Sequence, residues 1–222
     1  MIFLSRRWWL LVFVVIAINT FWHYIRVWMP LMLEKDHAYS HEFVQNFTSV
    51  YYMATFFGSI ASGAATVWLA RRGWNVHHSR LVTFLGFALL SSLAIPAAFL
   101  SRGPLLLGLL LVVAFGSLGL FPIYYSLNQE ISGRHQGKVG GSLGFSAWFI
   151  LYFVHPLIGS LVDRFPTAAE LFSAYPLLKH AGLLHLVPPE TLTRSLLFCT
   201  VSTGPLLSFL AIWLFWGRRA SR

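Results

Sequence analysis

The sequence contains few charged residues and almost no cysteine, and both features limit the class of protein to which it can belong. Only 10% of its 222 residues are charged, and seven residues are acidic. The single cysteine, Cys199, excludes an intrachain disulfide. Hydrophobic residues make up 57% of the chain, above the roughly 45–50% of a soluble domain. The composition therefore predicts an integral membrane protein.

Six long apolar runs predict six membrane-spanning helices. A helix needs about 20 apolar residues to cross the hydrocarbon core. A membrane β-barrel would instead show segments of about ten residues with alternating polarity, which the sequence lacks. We therefore predict an all-α, polytopic helix bundle that forms a single domain over residues 1–222. The predicted spans are residues 8–29, 47–70, 81–100, 105–126, 141–162 and 195–216.

The distribution of basic residues predicts the orientation of the bundle. Cytoplasmic loops of membrane proteins carry an excess of Lys and Arg. With the N-terminus inside, ten basic residues face the cytoplasm and five face outward, while six of the seven acidic residues lie outside. We therefore expect both termini in the cytoplasm and a long extracytoplasmic loop at residues 163–194, with one or two interfacial helices. The basic residues are spread over four inner edges, so the net charge of +9 does not predict a nucleic-acid partner.

The first span carries a polar stripe. Asn19, His23 and Arg26 stand at i, i+4 and i+7, which places them on one helix face. A long side chain near a helix end can extend to the membrane surface, and this is one interpretation of Arg26. Asn19 and His23 continue the stripe inward, which favours a binding site facing a water-accessible cleft. Pro30 follows one turn later and is expected to break or kink the helix.

The second and fifth spans carry further candidate site residues. Tyr52 and Thr55 belong to a hydroxyl-bearing face of the second span. These hydroxyls would bind a polar substrate or bond to neighbouring helices. His155 in the fifth span precedes Pro156, so its imidazole would face the cleft or satisfy carbonyls that the proline frees.

Two predicted inner loops are rich in small and basic residues. Ser59 and Gly63, four residues apart on the second span, permit close helix approach. Glycines also recur four residues apart between positions 137 and 144, where a flexible loop leading into a tightly packed helix is the simpler interpretation. The loop residues that we assign to gating are Arg71, Arg72, Arg80 and Lys138.

Together these stretches resemble the C-terminal half of a major facilitator superfamily transporter, within the anion:cation symporter group that includes hexuronate and sugar-acid carriers. The resemblance covers nearly the whole chain except residues 167–189. The basic loop looks like a degenerate copy of the superfamily's loop motif G-x-x-x-D-R-x-G-R-R, without its acidic residue. The residues that carry the resemblance are R-R-W-W (6–9), F-W-H-Y-I-R-V-W-M-P (21–30), L-A-R-R-G-W-N-V-H-H-S-R (69–80), Q-E-I-S-G-R-H-Q-G-K-V-G-G-S-L-G-F-S-A-W (129–148) and H-P-L-I-G-S-L-V-D-R-F (155–165).

This resemblance implies secondary active transport by alternating access, coupled to H+ or Na+, in a plasma membrane or bacterial inner membrane. The implied substrate is a small organic anion, a sugar acid or another carboxylate, and no cofactor is implied. The resemblance implies that an arginine of the first helix binds the substrate carboxylate. Arg26 is the candidate for this role, and Trp22 or His23 are the alternatives for the same position. Members have two six-helix halves with the substrate between them. The chain would therefore need a second six-helix half or a second copy of itself.

Proton coupling needs a titratable group inside the membrane. The six predicted spans contain no acidic residue, so His23, His155 or carboxylates of a second half would carry the proton, because imidazole titrates between about pH 5 and 8.

Two other functions fit parts of the sequence. The first is a truncated, non-transporting membrane protein that only assembles with other membrane chains. The second, more remote, is an intramembrane serine protease using Ser62 and His155, although helix packing explains Ser62 more simply. We therefore expect no enzymatic activity. His37 and His41 lack a cysteine or third ligand nearby, so no metal site is predicted.

Overall fold

The computed structural model describes residues 2–175 and 191–216, and this part of the chain is built from helices. Six helical segments are long and apolar enough to cross a membrane: α1, α2, α3 with α4, α5, α6, and α8 with α9. The predicted all-α, six-helix membrane architecture is confirmed. The helices are α1 (Arg6–Lys35), α2 (His41–Arg71), α3 (Val76–Ser92), α4 (Ala94–Ala97), α5 (Pro104–Gln129), α6 (Gln136–Arg164), α7 (Ala168–Ala174), α8 (Leu192–Ser202) and α9 (Gly204–Phe215).

The seven-residue helix α7 lies in the predicted outer loop. Thr167 caps it, and the carboxylate of Glu170 accepts a hydrogen bond from the Thr167 backbone in return, the reciprocal arrangement known as a capping box. The rest of the predicted interfacial segment, residues 176–190, lies outside the described residues.

Polar side chains fix where the first three spans begin. Ser5 accepts a hydrogen bond from the Trp8 backbone at 3.2 Å, and Ser40 accepts one from Phe43 at 3.3 Å. Asn75 does the same for α3, 2.9 Å from the backbone nitrogen of His77. Each cap satisfies an N–H group that the first helical turn leaves without a partner.

Prolines divide two of the spans but do not end α1. The third span breaks at Leu93, three residues before Pro96, and the sixth breaks at Thr203, two residues before Pro205. A proline removes one helix hydrogen bond and crowds the carbonyl four residues earlier.

The expected break at Pro30 does not occur, because α1 continues through it to Lys35. Ile25, Met29 and Leu33 are fully buried on both sides of this proline, and their packing holds the helix in place.

Helix α5 packs closely against two neighbours at glycines. A Cβ atom added to Gly58 of α2 would lie 1.9 Å from the carbonyl oxygen of Phe115 on α5. A Cβ added to Gly119 of α5 would lie 1.9 Å from the ring of Phe87 on α3. Gly63, which the sequence analysis paired with Ser59 for close packing, has nothing within 4 Å of its Cβ position. The close approach within the described chain therefore occurs at Gly58 and not at Gly63.

Helices α2 and α6 are the least buried spans. In the most apolar stretch of each, 17% of the residues are buried, against 56% for α1 and 50% for α5. The glycines of α6 at positions 137, 141 and 144 also have nothing within 4 Å of a Cβ position. Helices α2 and α6 thus each leave most of their apolar surface uncovered within the described chain.

Ion pairs tie the helices together at both ends of the bundle. At the end near Glu130, the predicted inner end, Arg80 of α3 pairs with Glu130 after α5. At the opposite, predicted outer end, Arg194 of α8 binds both oxygens of Asp36 after α1, with Nε 2.9 Å from Oδ2. The side chain of Asp36 is 5% exposed, so this pair joins the first and last spans with little competition from solvent.

Asp36→Asn is expected to destabilise the bundle, because it leaves the Arg194 guanidinium without its charge partner. Removing one member of a fully buried pair costs about 3–5 kcal/mol. The Arg194 side chain is 27% exposed, so we expect a smaller loss of about 1–3 kcal/mol. The melting temperature of the purified chain, followed by tryptophan fluorescence, measures this loss. The double variant with Arg194→Gln should lose less than the two single variants combined; full additivity would contradict the coupling.

Candidate functional site

The polar stripe of α1 contains one exposed cation. Asn19 is half-buried, and its side-chain amide donates to the carbonyl of Val15 at 2.8 Å. His23 is buried, with 7% of its surface exposed. Arg26 is exposed, and no hydrogen bond or ion pair joins its guanidinium to any residue in the described part of the chain. The guanidinium donors are therefore available to a group from outside the described part of the chain.

Helix α6 brings two side chains to the stripe. The Trp148 ring lies 4.8 Å from the His23 ring, centroid to centroid. His155 is half-buried and interacts electrostatically with Arg26 and His23. Three predicted site residues from two helices thus form one cluster, which we call the basic cluster: His23, Arg26 and His155. Trp148 was not among the predicted site residues, although its spacing of seven residues from His155 places it on the same helix face.

Aromatic rings connect α1 to α2 beside this cluster. Trp22 stacks on Tyr51 with ring centroids 6.2 Å apart, and it meets Tyr52 edge-on at 6.1 Å. Tyr52 is 41% exposed, so one edge of the aromatic group reaches the surface. Trp22 was predicted only as an alternative to Arg26 at the substrate carboxylate, and Tyr51 was not predicted, because helix spacing alone does not distinguish a site aromatic from a core aromatic.

The structure separates the two predicted residues of α2. Thr55 is 2% exposed, and its hydroxyl donates to the carbonyl of Tyr52 at 2.7 Å. Thr55 therefore lies inside the bundle while Tyr52 lies at the surface.

Ser62, the serine of the protease alternative, is fully buried, and its hydroxyl has no hydrogen-bond partner among the described atoms. It therefore does not bond to His155.

Two prolines leave backbone carbonyls near the cluster without their usual donors. Pro30 has no N–H group, so the Arg26 carbonyl lacks the donor that residue i+4 supplies in a helix. Pro156 removes the donor for the Tyr152 carbonyl in the same way. Both prolines lie inside helices that continue past them. The basic cluster is thus accompanied by two acceptors that can bind hydroxyl groups, water or a small cation.

Carboxylates lie at the ends of the bundle and away from the basic cluster. Glu130 follows α5 at one end, and the remaining acidic residues of the described ranges belong to helix ends or loops at the other. Because no carboxylate neutralises the cluster within the described chain, an anion from outside is its natural complement. The acidic residues at the second end are Glu34, Asp36, Glu42, Asp163 and Glu170.

The predicted gating residues differ in their surroundings. Arg80 pairs with Glu130, a partner that the sequence analysis did not identify. Arg72 packs over the ring of Trp68, with its guanidinium carbon 3.9 Å from the ring centroid. Arg71 and Lys138 are exposed.

No protein-family model matches this chain, and no curated protein sequence matches it significantly. The resemblance to a transporter half therefore stays a prediction. The basic cluster and its surroundings are the features of the molecule that bear on function.

The two outer histidines occupy separate environments. The Nδ1 atom of His41 lies 2.8 Å from a carboxylate oxygen of Glu34, whereas His37 is half-buried in the loop after α1. Within residues 2–175 and 191–216, no three His, Cys, Asp or Glu side chains come together in a way that could hold a metal ion.

Proposed function

We propose that this chain is one half of a secondary active transporter for a small organic anion, a sugar acid or another carboxylate. The observation that carries the proposal is the exposed Arg26 guanidinium, flanked by His23 and His155 and without a carboxylate partner in the described chain. A planar guanidinium binds a carboxylate through two parallel hydrogen bonds. Ionisable groups within membrane spans usually face a cavity or a partner, because lipid does not solvate them.

The site requires a second wall. Helices α2 and α6 flank the basic cluster and are the least buried spans, so a second bundle docked there would enclose the cluster. A second six-helix chain or a second copy of this chain would supply that bundle. Alternating access would then proceed by rocking of the two bundles about the bound anion.

The coupling ion would be H+ or Na+. A proton would be carried by His23, His155 or a carboxylate of the second bundle. A sodium ion would use carbonyl oxygens such as those that Pro30 and Pro156 leave without helix donors. We place the protein in a plasma membrane or bacterial inner membrane, where ion gradients of this kind exist.

Uptake by proteoliposomes tests the proposal. Vesicles would contain the chain alone, or the chain co-purified with a six-helix protein encoded by a neighbouring reading frame. We expect an inward proton or sodium gradient to drive accumulation of a radiolabelled hexuronate, aldonate or dicarboxylate, and a protonophore or sodium ionophore to abolish it. A stable complex without gradient-driven uptake of any of these acids would favour the non-transporting alternative.

A further inference from the structure

A cavity of about 580 Å³ lies at the predicted outer end of the bundle, formed by different residues from the basic cluster. It is a partly open cavity bordered by the end of α1 and the loop after it, the turn before α5, and the start of α8. Its volume is within the roughly 300–1,000 Å³ of ligand pockets in proteins. The lining residues on which the argument depends are Met32, Asp36, His37, Phe99, Leu100 and Arg102.

Arg102 is the positioned cation of this cavity. Its Nη1 atom donates to the carbonyl of Ala38 at 2.8 Å, and its guanidinium carbon lies 4.3 Å from the centroid of the Tyr39 ring. These two contacts fix the side chain. A guanidinium has five N–H donors, so donors remain for a ligand.

The other charged group of the lining is already compensated. Asp36 faces the cavity, but Arg194 binds both of its carboxylate oxygens. His37 adds an imidazole that is half-buried and makes no side-chain hydrogen bond to the described residues. Counted together with Arg194, which neutralises Asp36, the charged groups at the cavity sum to one positive charge, that of Arg102, and a proton on His37 would add another.

Apart from the hydroxyl-bearing Ser101, Thr191 and Ser195, the remaining wall is apolar. Met32, Phe99 and Leu100 contribute hydrocarbon surface next to the charged groups. A small, fully hydrated anion would leave this surface without a partner, whereas an anion attached to an apolar chain would cover it.

We propose that this outer cavity binds an anionic head with an attached apolar chain, a fatty-acid-type carboxylate or the head of an anionic phospholipid. The head contacts Arg102 and His37, and the chain lies against Met32, Phe99 and Leu100. The proposal does not depend on transport, because it uses neither Arg26 nor the other residues of the basic cluster.

Binding is expected to strengthen as the pH falls. Burial lowers the pKa of His37 below its ordinary value, with Asp36 acting in the opposite direction and Arg102 in the same direction. In the empty cavity the imidazole is therefore neutral near pH 7. A bound anion favours the imidazolium, so binding takes up a proton and becomes tighter towards acidic pH.

The melting temperature of the full chain in a non-ionic detergent tests this site, because a ligand that binds only the folded state raises it. The nine tryptophans report unfolding by fluorescence. The probes are octanoate, dioctanoyl phosphatidylglycerol and dioctanoyl phosphatidylcholine, at about pH 5.5 and about pH 7.5, either side of the ordinary histidine pKa. We expect an anionic probe to raise the melting temperature by several degrees, more at the lower pH, and the zwitterionic lipid to have no effect.

Variants separate the site from general binding to the bundle. Arg102→Gln should lower the affinity for the anionic probe by about tenfold or more. His37→Gln should remove the pH dependence of this binding. Arg164→Gln is the matched control, since Arg164 also lies at the outer end but does not line the cavity. A response to octanoate alone indicates a free carboxylate, and a response to phosphatidylglycerol indicates a lipid head. No response to either anion, or equal loss in Arg102→Gln and Arg164→Gln, would overturn the proposal.

Discussion

Gly58→Ala is expected to destabilise the bundle severely. The added methyl carbon would lie 1.9 Å from the carbonyl oxygen of Phe115, and the clashing atoms belong to the α5 backbone. A backbone cannot rotate aside like the end of a side chain, so α2 and α5 would have to separate. Overpacking of this kind costs about 1–3 kcal/mol and occasionally more, and we expect the upper end of that range. For a chain of this size the melting temperature would fall by roughly 5–10 °C.

Gly63→Ala provides the matched control for this prediction. Gly63 lies on the same helix, five residues further on, and nothing approaches its Cβ position within 4 Å. Alanine is favoured over glycine inside a helix by about 0.5–1 kcal/mol, so this variant should melt at the same temperature as the parent or slightly higher. Equal destabilisation by the two substitutions would show that α2 and α5 are not packed as described.

Arg26→Ala is expected to abolish uptake in the proteoliposome assay. If the guanidinium clamps the substrate carboxylate, its loss removes a charge-assisted, two-point contact. Truncating one partner of such a desolvated pair costs about 2–5 kcal/mol, which corresponds to a loss of about thirtyfold or more in apparent affinity. Arg26→Lys keeps the charge but not the planar, two-point geometry, and we expect partial uptake with weakened affinity. Initial uptake rates over a range of substrate concentrations measure both effects.

The control for Arg26 must separate loss of binding from loss of fold. Arg26 is exposed, and the described residues hold it by no hydrogen bond or ion pair, so the melting temperature of Arg26→Ala should stay close to that of the parent. Arg164→Gln, at the end of α6, removes another arginine and should leave uptake unchanged. Uptake unaffected by Arg26→Ala would remove this residue from the site and would favour a side chain that only extends to the membrane surface.

Some of the candidate site was predictable from helix spacing and some was not. The seven-residue interval from Asn19 to Arg26 puts them on one face of the continuous helix α1, and Trp148 of α6 contacts His23 on that face. Tyr52 and Thr55 have equally suitable spacing, but one is exposed and the other is buried. Two side chains three positions apart on a helix point in directions that differ by about 60°. This angle is enough to put one on the packed face and the other on the open face. The position of that boundary depends on where the neighbouring helices lie.

The six helices long and apolar enough to span a membrane follow from hydropathy alone. In hydrocarbon every backbone N–H and C=O group needs a hydrogen-bond partner within the same segment, so a long apolar run folds as a helix. Which glycine is packed depends on how the helices assemble, because spacing alone favoured Gly63 and the contact with α5 occurs at Gly58. The pairing of Asp36 with Arg194 and the outer cavity beside them depend on the same assembly. These features join residues up to 158 positions apart, and the hydropathy of a single span contains no information about which span lies beside it.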